Sequence, residues 1–208
     1  PKTAVAAKIV AEPAATRAIA HDHHQWSSTC CPMRTASSAV PIAWTPATPG
    51  RISAPVVVAP MSALDEDTDD VRMVAEAAAA AMTRAVAAGA RRPLLVVRAP
   101  ADPRFARAVE VAALAALSTQ WAPLEAREQE LAPRSAEALA VLGLPEQRAK
   151  ELAAIEVGRA LCRDITAGDP ERMAPVRVAE LCEVAFARTG VLVKVERNVE
   201  DYPLISAV

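Results

Sequence analysis

The chain has 208 residues, enough for one large domain or for one domain and part of another. Hydrophobic residues make up 52% of it but aromatic residues only 3%, so its core is to be built largely from alanine and needs closely packed helices. A net charge of −2 exerts no general pull on nucleic acid or anionic membrane, and no apolar run reaches the roughly 18 residues of a membrane span.

Residues 1–20 are alanine-rich, with Lys2, Lys8 and Arg17 set against Glu12, and predict a weak helix as far as Pro13. So few arginines beside an acidic residue make a poor transit peptide. Residues 21–50 are dominated by Pro, Ser and Thr and keep no helical period. The whole of 1–50 is therefore expected to be a poorly ordered leader, with Val40 to Trp44 as one short strand. His21, His23, His24, Cys30 and Cys31 are zinc ligands by type, but no Cys-x-x-Cys pair and no second half-site accompany them. Their chance occurrence in a loop is the expected reading. Cys30 and Cys31 make, with Cys162 and Cys182, a set of four cysteines that fits reduced thiols in an intracellular protein.

Residues 55–59, PVVVA, predict a buried strand bounded by Pro55 and Pro60. Asp65, Glu66, Asp67, Asp69 and Asp70 crowd together next. Carboxylates at that density can hold a hard cation, but the run lacks the glycine and closing glutamate of an EF-hand loop. It also stands where a helix begins, so capping by Asp67 or Thr68 is expected instead. The helix runs from Asp69 to Ala88, with Val71, Val74, Ala78, Met82 and Val86 on one face and Gly89 as its stop.

Leu94 to Val97 is the next buried strand. Asp102-Pro103 then supplies a cap and a first helical residue for a second helix, whose face is Phe105, Ala108, Val109, Ala112, Ala116 and Leu117. An extended piece from Trp121 to Ala126 follows. Strand, helix, strand, helix, strand is the order of an α/β domain, a parallel or mixed sheet flanked by helices, placed over residues 51–144. Its charged tail, 127–144 with Pro133 and Gly143, reads as a linker. Pro145 opens a connecting helix over 145–164, whose Leu152, Ile155, Val157, Leu161 and Cys162 wrap more than one face, as in a helix buried between two packed units.

A polar loop, Gly168 to Pro175, leads to a helix lined by Val178, Leu181, Cys182 and Ala185 that ends near Gly190. Val191 to Val195 then predicts a strand. One helix and one strand cannot bury a sheet, so residues 165–208 are expected to be the start of a larger domain.

Three runs carry a resemblance. Residues 168–175 read GDPERMAP, residues 65–72 read DEDTDDVR ahead of an alanine-rich helix, and Asp201-Tyr202-Pro203-Leu204 precedes Ser206-Ala207-Val208. In this order, over residues 50–208, they resemble an animal branch of the leucine aminopeptidase (cytosol aminopeptidase) family. That resemblance implies a cytoplasmic enzyme that removes amino-terminal residues such as leucine from peptides, working as a homohexamer. It implies two divalent metals, zinc with manganese or magnesium able to substitute at one position, that bind the free amine and the scissile carbonyl and activate a water. The family's ligands, a lysine, three aspartates and a glutamate, stand in motifs of the type VGKGxxxDTGG and NTDAEGR, neither of which occurs in these residues. No catalytic, cofactor-binding or metal residue is therefore assigned. The chain is expected to be the amino-terminal part, inactive alone, with peptide substrates met elsewhere and no nucleic-acid or membrane partner.

The residues themselves add no competing chemistry. There is no nucleophile elbow, no phosphate-cradling glycine loop and no His-Glu-x-x-His. Asp169, Glu171 and Arg172 make the best polar candidate, with helix capping and pairing to Arg172 as their expected role. The alternative reading is a non-catalytic α/β binding or scaffold protein, similar to macro-type folds that bind ADP-ribose, but without their glycine-rich phosphate loop.

Overall fold

The computed structural model describes residues 6–11, 42–45, 55–61, 63–65, 67–198 and 202–206. The chain divides into two compact units, Pro1–Cys162 and Arg163–Val208. The first is an α/β unit of mixed sheet and helices, in agreement with the sequence. Its strands are β1 (Ala6–Ala11), β2 (Ile42–Thr45), β3 (Val56–Pro60), β4 (Pro93–Arg98) and β5 (Leu139–Leu142), in the spatial order β2-β5-β4-β1-β3. β1 runs antiparallel to both β3 and β4, while β4, β5 and β2 are mutually parallel neighbours.

Helix α1 (Arg72–Ala87) follows β3, and α2 (Ala108–Ser118) follows β4. The buried positions of α1 are Val74, Ala77, Ala78, Ala81, Met82, Ala85 and Val86, a full 3.6-residue stripe. Those of α2 are Ala108, Ala112, Ala113, Ala116 and Leu117. Alanine on both helices lets their backbones approach closely, so a core poor in aromatics still closes. Leu95 of β4 and Leu139 and Val141 of β5 meet these helices, together with Ala149 and Leu152 of α4 (Glu146–Ala167). The other sheet face carries a smaller cluster of Leu94, Ala140, Val96 and Leu142. Along β3 the same alternation turns Val57 and Ala59 inward and leaves Val56 and Val58 exposed.

Local signals set several boundaries as the sequence anticipates. α1 ends on Gly89, whose φ of +93° disfavours any side chain. The Gly89 amide donates to the Val86 carbonyl and that of Ala90 to Ala85, the two bonds of a Schellman motif. Asp102 accepts from the Arg104 amide at 2.8 Å, but what it caps is a short 3-10 turn, Pro103–Phe105, and α2 starts only at Ala108.

Other expectations are corrected. Residues 6–11 form the strand β1, not a weak helix, and β1 lies inside the sheet with a neighbour on each side. Two strands are thus drawn from the stretch read as a leader; β2 covers Ile42–Thr45, close to the expected Val40 to Trp44. The rest of that stretch, with His21, His23, His24, Cys30 and Cys31, lies outside the described residues. Of the extended piece expected at Trp121 to Ala126, residues 121–123 have no regular structure, and the rest belongs to a short helix, α3 (Leu124–Glu128).

The supposed linker 127–144 contains β5, whose Leu139 and Val141 are fully buried. Its approach is stitched down. The buried Gln120 side chain accepts from the Ala136 amide at 2.9 Å, and the Glu137 amide donates to the Arg91 carbonyl at 2.7 Å. The Glu137 carboxylate also pairs with the Arg91 guanidinium. Charge along these residues reports a solvated connection to a central strand, not a boundary between domains.

The second unit holds the end of α4, then α5 (Pro175–Phe186) and the short α6 (Pro203–Ser206). The strand expected at Val191 to Val195 is absent: residues 191–198 have no regular structure. A strand needs a ladder partner, and no other segment described in this unit supplies one. Among the described residues, no helix is long and apolar enough to cross a membrane.

Candidate functional site

The most specific run in the sequence, 168–175, folds into a closed connector between α4 and α5. Gly168 sits where a side chain would not fit: a Cβ there would stand 2.7 Å from Met173 Cγ and 3.0 Å from the Asp164 carbonyl oxygen. The Asp169 carboxylate accepts from the Glu171 amide at 2.9 Å and the Arg172 amide at 3.3 Å. Its carbonyl accepts from the Met173 amide at 2.8 Å. Asp169 is therefore a cap, as expected, but of the turn 169–173 and not of α5. That helix starts at Pro175, behind an Ala174 with no capping side chain. Asp169 thus closes the turn that precedes α5, with the backbone amides of Glu171 and Arg172 as its donors.

The acidic run behaves alike. Asp65 accepts from the Asp67 amide at 2.9 Å, Asp69 from the Asp65 amide at 2.8 Å, and Asp70 from the Arg72 amide at 2.8 Å. The expected caps, Asp67 and Thr68, stand too far upstream because α1 begins at Arg72. The cap position itself is Val71, without a capping side chain; Asp70, just before it, pairs with the Arg72 side chain at 2.9 Å, which holds its carboxyl below the usual range. Arg104 bridges back to this loop, donating to the Asp69 carbonyl at 3.5 Å while it pairs with Asp102 at 2.9 Å. The Arg104 guanidinium lowers the Asp102 carboxyl in the same way.

The most perturbed carboxylate is one that sequence reasoning missed. Glu110 of α2 accepts from Arg148 of α4 at 2.7 and 2.9 Å and from Arg107 one turn earlier at 2.7 Å. The Arg148 bonds, aided by Arg107 and opposed by desolvation, bring the Glu110 carboxyl down to about 2. Arg148 also pairs with Glu151, whose carboxyl is lowered by it. Strong shifts often mark active sites. Here the shifts come from ion pairing between two helices. The neighbours Arg107–Glu110 and Arg148–Glu151 are legible as i,i+3 pairs; the contact across 38 residues is not.

A two-metal centre needs clustered carboxylate, imidazole or thiolate donors. No group of three or more such side chains that could hold a metal occurs among the described residues, and Asp65, Asp69 and Asp70 each turn a carboxylate oxygen to a neighbouring backbone amide. The described residues do not fit such a centre.

Comparison with known proteins then supplies what the geometry lacks. The chain is similar to a Caenorhabditis elegans protein named "Putative aminopeptidase", 36% identical over 153 residues that take in 70% of this chain. This chain spans 29% of that protein's length. No family model matches the chain. No solved structure matches it.

Proposed function

We propose that this chain is the amino-terminal portion of a leucyl-type, metal-dependent aminopeptidase, a hydrolase that releases amino-terminal residues from peptides. The observation that carries the reading is the 36% identity with the nematode protein over 153 residues. The run GDPERMAP at 168–175 points to the leucine aminopeptidase family in particular. In this reading the α/β unit is an assembly domain, and a homohexamer is the working form. Two divalent ions, zinc with manganese or magnesium at one site, are held by residues outside those described. The cytoplasm is the site of action, with which Cys162 and Cys182, neither of them in a disulfide, agree.

Two measurements test it. The coding sequence beyond Val208 is expected to encode the lysine, three aspartates and glutamate of the family's metal site; a frame without them overturns the family assignment. Residues 1–208 expressed alone are expected to release no amino-terminal leucine with zinc or manganese, whereas the longer polypeptide does so until chelated. Metal-dependent turnover by the short chain would show that the chemistry had been assigned to the wrong residues.

A further inference from the structure

We draw no further inference here: the strongest candidate, the half-buried apolar stripe of α5 formed by Val178, Leu181, Cys182, Ala185 and Phe186, is an unpartnered helix face, and nothing in the structure shows what covers it.

Discussion

At Glu110 two arginines converge on a carboxylate that is about one quarter exposed, and the consequence can be read in acid. Its folded-state value of about 2 lies below its ordinary 4.5, so the charged form is favoured by folding. The stabilisation is complete above pH 4.5 and is lost as pH falls from 4.5 towards 2. Glu110→Gln is therefore expected to cost about 1–2 kcal/mol at neutral pH, a partly screened charged hydrogen bond, and almost nothing near pH 2. Urea unfolding followed by circular dichroism at the two pH values checks it; an equal cost at both would mean the charge is not what counts. Gly168 offers a steric counterpart. Gly168→Ala is expected to destabilise its unit by about 1–3 kcal/mol, because the new methyl meets both Met173 Cγ and the Asp164 carbonyl. Adding Met173→Ala should recover part of that loss, since one of the two obstacles is gone. A double-mutant cycle with no coupling would place the strain elsewhere.

Among the elements, β5 separates a linker from a core strand most sharply. Leu139 is fully buried against α1 and α2 residues, so Leu139→Ala is expected to cost about 2–5 kcal/mol by lost burial and the cavity left behind. Substituting the exposed Arg134, a few residues upstream, should change stability by no more than about 0.5 kcal/mol. Denaturant midpoints of the two variants make the comparison, and similar values for both would return this stretch to the status of a tether. β5 escaped notice in the sequence for a physical reason. It has four residues, two faces are apolar, and it is preceded by charged residues, so neither alternation nor length announces it. α1 was legible because sixteen residues repeat the same stripe, with a glycine stop behind them.

For the molecule as a whole, the two units differ in how much they bury. The core residues of the sheet and of α1 and α2 belong to the first, whereas α5 in the second has no fully buried residue. Val191 is 55% exposed and Leu192 90% exposed. Amide hydrogens at 191–195 are accordingly expected to exchange close to the unprotected rate, while those of Leu95 and Val96 in the sheet exchange only on larger openings. Comparable protection in the two stretches, in a sample shown by sedimentation to be monomeric, would contradict this division. The candidate site follows the same division between near and far. That Asp169 caps was legible from its place in the run, but that it caps the turn 169–173 and not α5 was not, nor was the Arg148–Glu110 bond.

What the sequence determined by itself is what neighbours in the chain decide: the stripe of α1, its Gly89 stop, Asp102 as a capping residue and the α/β alternation. The similarity to the nematode protein belongs with these, because it rests on residue identities and not on contacts. Only the tertiary structure decided that β1 enters the sheet between β3 and β4, that β5 is a core strand and that Val191 to Val195 is no strand. A strand's backbone donors and acceptors point sideways and are satisfied only by another segment, often distant in the chain. The same six residues at 6–11 would read as helix from their alanines, yet pairing on both sides makes them strand.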